Sequence, residues 1–121
     1  MAIQRILIVD DSPTERYYLT DILVKNGFSV STANNGEEAL AKIKADKPQL
    51  ILMDVVMPGA NGFQVTRSIA RDPELQDVPV IICSSKNQET DRIWGLRQGA
   101  REYLVKPVDA AELLAKIAAL G

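Results

Sequence analysis

Short apolar runs that recur between helical patterns limit what this chain can fold into. Three of these runs are uninterrupted: Ile6–Val9, Leu50–Met53 and Val80–Cys83. A strand with one face in water alternates apolar and polar residues, whereas a strand covered on both faces is apolar throughout. Ser29–Ala33 and Tyr103–Val105 complete a set of five predicted strands. Because helical segments separate all five, we expect an α/β fold with one parallel sheet and helices on both of its faces.

The segments between the strands carry signals that begin and end helices. Ser12 stands at an expected N-cap and Pro13 at the first helical position, and Glu15 follows three residues after the cap, as in a capping box. Gly27 and Gly99 follow the first and fourth helical patterns, as glycine often follows a helix C-terminus. The second predicted helix follows the turn Asn34–Gly36, and the third follows Gly62. The fourth runs from about Gln88 to Gln98, and the fifth begins after Asp109.

Length and composition exclude several classes of protein. The 121 residues suffice for one core and are too few for two. A net charge of -2 gives no reason to expect direct contact with nucleic acid, and no apolar run approaches the roughly 18 residues of a membrane helix, so we expect a cytoplasmic protein without membrane insertion. The absence of histidine excludes a Ser-His-Asp triad and most zinc sites. The one cysteine, Cys83, is predicted to be a buried, reduced thiol.

Polar residues stand at the carboxyl ends of four of the five predicted strands. In a doubly wound sheet, ligands bind outside these ends, near the point where the strand order reverses. The polar residues are therefore predicted to converge on one site. They are Asp10 and Asp11 after the first strand, Asp54 after the third, Ser84 and Ser85 after the fourth, and Lys106 and Pro107 after the fifth.

The convergence of three carboxylates predicts a cation. Two like charges 4 Å apart repel by roughly 4 kcal/mol at an effective dielectric near 20. Lys106 supplies one positive charge, and an all-oxygen site suits Mg²⁺ or Mn²⁺. A carboxylate beside a metal, an ammonium and a hydroxyl is a plausible phosphoryl acceptor. Each residue alone has an ordinary structural role, such as a charge at a helix N-terminus for Asp11, but their convergence favours a site.

Four motifs occur in order at the strand ends: "DD", "MDVVMPGANG", "CSS" and "VKP". With them the chain resembles a receiver domain of the bacterial two-component response regulators, from Arg5 to about Leu120. The resemblance implies a doubly wound, five-stranded, flavodoxin-like (βα)5 fold with strand order 2-1-3-4-5. It also implies a single receiver domain over residues 1–121, with no output domain in this chain.

The resemblance assigns the phosphoryl and metal chemistry to specific residues. Asp54 matches the phosphoryl acceptor. Asp11 and Asp54 match the direct Mg²⁺ ligands, and Asp10 matches the acid that binds the ion through water. The backbone carbonyl of Val56 matches the remaining protein ligand. Lys106 matches the lysine that contacts the phosphoryl group. An apolar Val56 is expected to slow the loss of phosphate, since its side chain cannot position an attacking water.

The resemblance also assigns a conformational switch. Ser84 matches the switch hydroxyl, and Tyr103 matches the switch aromatic, which packs inward when Ser84 moves toward the phosphoryl group. On sequence alone, Tyr103 could simply be a ring at the edge of the core. Pro107 matches the proline that follows a cis peptide bond.

The resemblance implies a histidine kinase as phosphodonor. It further implies self-phosphorylation with slow dephosphorylation rather than turnover of external substrates. Phosphorylation then repacks the face formed by the fourth helix, the fifth strand and the fifth helix. Since the chain ends at Gly121, we expect the signal to leave through contact with a downstream protein, from a monomer or weak dimer. The stretch "NQETDRIWGLRQGAREYL", which contains Trp94, resembles stand-alone receivers of the chemotaxis-like system that controls type IV pilus twitching motility.

Three other interpretations of the same residues conflict with the sequence. An aspartyl phosphatase of the haloacid dehalogenase type needs an acid where Val56 stands, and a flavodoxin needs a phosphate loop where acidic "DDSPTE" stands. No P-loop lysine motif supports a nucleoside triphosphatase. The alternative that stays open is a receiver-like docking module that never uses phosphate.

Overall fold

Strands and helices alternate strictly along the chain in the computed structural model, which describes residues 2–121. All five predicted strands are present, with bounds that agree to within one residue. The strands are β1 Arg5–Val9, β2 Ser29–Ala33, β3 Leu50–Met53, β4 Val80–Ser84 and β5 Glu102–Val105. The helices are α1 Pro13–Lys25, α2 Gly36–Ala45, α3 Gly62–Arg71, α4 Glu89–Arg97 and α5 Ala110–Leu120.

The five strands form one parallel sheet in the order β2-β1-β3-β4-β5, which confirms the predicted fold and strand order. β1 lies between β2 and β3. The second strand is therefore on one side of β1, and the third, fourth and fifth strands follow on the other side. The carboxyl ends of β1 and β3 therefore flank the point where the strand order reverses. This is the position at which open α/β sheets bind ligands.

Each face of the sheet has its own apolar core. Alternate side chains of β1 pack into the two cores, Ile6 and Ile8 on one face of the sheet and Leu7 and Val9 on the other. The first core is covered by α1 and α5, and the second by α2 and α3, with part of α4. Both faces of the central strands are thus buried, as their uninterrupted apolar runs predicted. Within residues 2–121, no helix is both long enough and apolar enough to cross a membrane.

The beginning of α1 departs from the predicted capping box. The Ser12 hydroxyl accepts a hydrogen bond from the Glu15 N–H at 3.3 Å, as expected for an N-cap. The reciprocal bond from Glu15 is missing, because the Ser12 N–H instead donates to Asp10 Oδ1 at 2.9 Å. One carboxylate oxygen of Glu15 is consequently buried without a hydrogen-bond partner among the described residues. The prediction of a full capping box here was wrong, since the Asp10 side chain competes for the same donor.

Candidate functional site

Three carboxylates converge at the carboxyl ends of β1 and β3. One oxygen from each of Asp10, Asp11 and Asp54 lies within 4.8 Å of the others. Asp10 and Asp54 are only 2% and 7% exposed, whereas Asp11 is exposed. The Asp10 N–H donates to the Ala33 carbonyl at 3.1 Å and the Asp54 N–H to the Val9 carbonyl at 2.9 Å. The sheet's hydrogen bonding therefore continues one residue past each strand and fixes the backbone of both buried acids.

Lys106, in the loop after β5, joins the two buried carboxylates. Its Nζ lies 2.8 Å from Asp10 Oδ2 and 3.2 Å from Asp54 Oδ1, and its side chain is 14% exposed. Burial by itself lowers the pKa of Lys106, but hydrogen bonds and charge from the two aspartates outweigh it and raise the pKa above its ordinary value. Lys106 is therefore a fixed cation at neutral pH.

One lysine does not balance the charge of the cluster. Burial raises the pKa of Asp54, and the charge of Asp10 raises it further, while Lys106 opposes both effects. Three carboxylates and one ammonium leave a formal charge of two negative units at this rim. The site therefore has the electrostatic character of a receptor for a divalent cation.

The donor atoms fit Mg²⁺ or Mn²⁺. Asp54 uses only Oδ1 to bind Lys106, and neither the Asp11 carboxylate nor the Val56 carbonyl accepts a hydrogen bond from residues 2–121. These free oxygens are the hard ligands that such ions prefer. Asp10, in contrast, has one oxygen bonded to Ser12 and the other to Lys106, which suits a ligand that acts through water. The Val56 side chain is 60% exposed beside this group.

Ser84 and Tyr103 hold the loop between β4 and α4 through one residue. Ser84 is the last residue of β4 and is fully buried, and its Oγ accepts from the Lys86 N–H at 3.1 Å. Tyr103 is 8% exposed, and its hydroxyl donates to the Lys86 carbonyl at 2.8 Å, so the ring points inward. The Lys106 N–H donates to the Ser84 carbonyl at 2.8 Å, and the Lys106–Pro107 peptide bond is cis. All the residues predicted at this rim are therefore brought to one end of the sheet.

Several residues that build the site were not identified from the sequence. A Cβ on Gly62 would lie 1.9 Å from the Asp54 carbonyl oxygen, so only glycine lets α3 begin against the end of β3. Arg16 Nη1 donates to the Asp10 carbonyl at 2.8 Å, and the Tyr18 hydroxyl ties α1 to the Val108 carbonyl at 2.6 Å. Gly62 lies within "MPGANG" and could have been suspected from that motif, whereas Arg16 and Tyr18 carry no such signal.

Comparison with known proteins agrees with this geometry. The profile of the "Response regulator receiver domain" family matches residues 6–118. The chain is 56% identical over 116 residues to Protein PilH of Pseudomonas aeruginosa, with 96% of each protein covered. It is 40% identical to the response regulator PleD of Caulobacter vibrioides, of which it spans 26%.

Solved structures give the same result. A putative response regulator from Chloroflexus aurantiacus superposes with a TM-score of 0.93 at 30% identity, covering 98% of this chain and 97% of that one. The chemotaxis protein CheY4 of Vibrio cholerae has a TM-score of 0.90 at 29% identity, covering 99% of this chain and 100% of that one.

Proposed function

The chain belongs to the response regulator receiver domain family, and from this premise we propose that it is a phosphorylation-activated signalling switch in which Asp54 accepts the phosphoryl group. The observation that carries the proposal is the bridge of Lys106 between the buried Asp10 and Asp54, beside the free carboxylate of Asp11. A docking module that never used phosphate would have no need of buried, mutually repelling acids.

In the proposed reaction an oxygen of Asp54 attacks the phosphorus of a phosphohistidine on a partner kinase. A bond forms between phosphorus and Asp54, the bond between phosphorus and the histidine nitrogen breaks, and the imidazole takes up a proton as it leaves. Lys106 stands where it can neutralise charge on the transferred group. When bound by Asp11, Asp54 and the Val56 carbonyl, Mg²⁺ supplies electrostatic stabilisation of the phosphoryl oxygens. The protein acts on itself and does not turn over external substrates.

We propose that the signal leaves through the face formed by α4, β5 and α5. Ile93 and Trp94 on α4 and Val105 on β5 are 43%, 49% and 42% exposed, which are high values for large apolar residues. Ser84 and Tyr103 lie between this face and the phosphoryl site and contact the same loop. A phosphoryl group that draws the Ser84 hydroxyl toward itself would release the Lys86 N–H and change how that loop and α4 pack.

The likeness to Protein PilH supports a narrower proposal, that this receiver acts in control of type IV pilus twitching motility. On this proposal, residues 1–121 form one receiver domain. The protein is cytoplasmic, receives its phosphoryl group from a histidine kinase, and binds a downstream protein rather than nucleic acid. Its assembly state is a monomer or weak dimer.

The proposal is tested with a small-molecule phosphodonor. Wild-type protein incubated with acetyl phosphate and Mg²⁺ is expected to gain one phosphoryl group by intact mass, and chelation should abolish the gain. Asp54→Asn should gain none, whereas Asp46→Asn, which changes an exposed acid outside the cluster, should behave as wild type. Equal gain in wild type and Asp54→Asn would contradict the assignment of the acceptor.

A further inference from the structure

Glu15, in the first turn of α1, carries the one buried side-chain polar atom without a hydrogen-bond partner among residues 2–121. This atom is Oε2, whereas the residue as a whole is half-buried and Oε1 reaches solvent. No ion pair within the described residues neutralises the carboxylate. A partly desolvated carboxylate without a partner costs free energy, because the water it gave up has not been replaced.

The needs of the helix do not explain this burial. A negative charge in the first turn is favourable to the helix dipole, but an exposed acid supplies it without desolvation. Glu37, in the first turn of α2, is such an exposed acid. Nor does Glu15 complete a capping box, since the Ser12 N–H donates to Asp10 Oδ1 instead.

Hydrogen bonds on both sides of Glu15 hold this turn of α1 against the acidic cluster. The Ser12 N–H donates to Asp10 Oδ1 at 2.9 Å, and Arg16 Nη1 donates to the Asp10 carbonyl at 2.8 Å. The Glu15 N–H itself donates to the Ser12 hydroxyl at 3.3 Å. The unpaired carboxylate therefore belongs to a turn whose position is fixed relative to the site.

The thiol of Cys83 shows that the charge of Glu15 acts in the same region as the charges of the site. Burial raises the pKa of this thiol to about 12, and the positive charge of Lys106 opposes the rise. The negative charges of Asp10, Asp54 and Glu15 add to it. Because the effect of a charge falls with distance, Glu15 acts as a fourth carboxylate near the cluster.

We propose that Glu15 determines the choice of phosphodonor by accepting a hydrogen bond from the protonated imidazole ring of a phosphohistidine. This inference rests on the function proposed above, with Asp54 as the phosphoryl acceptor. The attacking oxygen and the leaving nitrogen lie roughly in line on opposite sides of phosphorus, so the ring leaves at the open rim of the site, where α1 begins.

The proton of the ring makes a carboxylate useful at this position. As the bond between phosphorus and nitrogen breaks, its electron pair stays on that nitrogen, and the ring departs as neutral imidazole because its other nitrogen carries a proton. Glu15 remains ionised and accepts from that N–H, which is a charge-assisted hydrogen bond. The same negative charge repels a donor that is anionic throughout, such as acetyl phosphate.

N-phosphoimidazole and acetyl phosphate are the test probes, each supplied with Mg²⁺, and intact mass gives the initial rate of phosphoryl gain by the full chain. Glu15→Gln keeps the shape and removes the charge. It should lower the ratio of the phosphoimidazole rate to the acetyl phosphate rate at least about fivefold, while the acetyl phosphate rate stays equal or rises. Glu37→Gln, which removes an exposed acid from the first turn of α2, should keep the wild-type ratio.

The comparison of two donors separates this role from a structural one, because a damaged site would lower both rates together. An unchanged ratio in Glu15→Gln, or in Glu15→Ala as a second variant, would overturn the proposal. An equal fall of the ratio in Glu37→Gln would do the same, since net charge rather than position would then be the cause. If the wild type gained no phosphoryl group from either donor, the function proposed above would be contradicted and the role of Glu15 would fall with it.

Discussion

At the scale of single residues, Asp54 carries a charge that the fold tolerates at a cost. Burial and the neighbouring Asp10 raise its pKa, and Lys106 compensates only in part. A carboxyl group whose pKa is higher in the folded than in the unfolded chain ionises more readily when unfolded. The free energy of unfolding therefore falls as pH rises through the pKa of Asp54. The proposed phosphoryl acceptor is thus a residue without which the metal-free fold would be more stable.

Asp54→Asn should accordingly stabilise the metal-free protein. The amide cannot ionise, so its advantage over wild type should be small at acidic pH, where Asp54 is protonated, and should grow as the pH rises toward 7. Urea unfolding with a chelator at several pH values measures this difference. Asp46→Asn, at an exposed residue, is the control and should show little change. An Asp54→Asn protein no more stable than wild type at pH 7 would contradict this description of the site.

Val56 sets a second prediction at this scale. Its side chain is exposed beside the carboxylates but cannot hydrogen-bond to water. Val56→Asn should position an attacking water and shorten the lifetime of the phosphorylated protein several-fold, whereas Val56→Ala should not. Intact mass followed over time after removal of the phosphodonor gives the decay rate. Equal decay of the Asn and Ala variants would show that this side chain does not control the lifetime.

At the scale of elements, α4 contains a glycine that its helix propensity does not explain. A Cβ on Gly95 would lie 3.0 and 3.2 Å from two ring atoms of Tyr103, and 2.9 Å from Ile82 Cδ1. These distances are shorter than ordinary carbon contacts. Gly95 therefore provides the space in which the Tyr103 ring packs inward, and α4 accepts a weaker helix former for that reason.

Gly95→Ala should consequently destabilise the protein by about 1 kcal/mol, although alanine is the better helix former by about that amount. In a Tyr103→Ala background the same change should cost less or stabilise, because the ring no longer blocks the new methyl group and Ile82 Cδ1 can move into the space that the ring leaves. The four proteins are compared by urea unfolding as a double-mutant cycle. If Gly95→Ala stabilised the protein even with Tyr103 present, the steric argument would fail.

The elements of this fold were predictable because each depends on local sequence. Uninterrupted apolar runs indicated the central strands, and the acids that follow them were expected to meet once a parallel sheet was inferred. What was missed depends on contacts between distant segments. The full capping box at Ser12 fails because Asp10 competes for its N–H, and the need for glycine at position 62 arises only when α3 is set against β3. The inward rotamer of Tyr103 is likewise a property of the space beside α4.

At the scale of the whole molecule, the loop between β4 and α4 lies between the acidic cluster and an apolar surface. Ser84 and Tyr103 both bind Lys86, and α4 begins three residues later with Trp94 exposed on its surface. A two-state element that both sites contact is the physical requirement for coupling between them.

Ser84→Ala should still allow phosphorylation but should weaken the conformational change that phosphorylation causes. The variant keeps Asp54 and Lys106 and should still gain the phosphoryl group by intact mass. The change in fluorescence of Trp94, the single tryptophan, should shrink by at least half relative to wild type, because the hydroxyl that links the group to the loop is gone. Ser85→Ala, at the exposed neighbour, is the matched control. A full fluorescence response in Ser84→Ala would show that coupling follows another route.

The central claim is that Asp54 carries the phosphoryl group, and chemical trapping tests it most directly. Borohydride reduces an aspartyl phosphate to homoserine and releases phosphate, which leaves a stable mark on the modified residue. Protein treated with acetyl phosphate and Mg²⁺, reduced and digested, should contain homoserine at position 54 and retain aspartate at positions 10 and 11. Homoserine at position 10 or 11, or none at position 54 in protein that had gained the phosphoryl mass, would contradict the account.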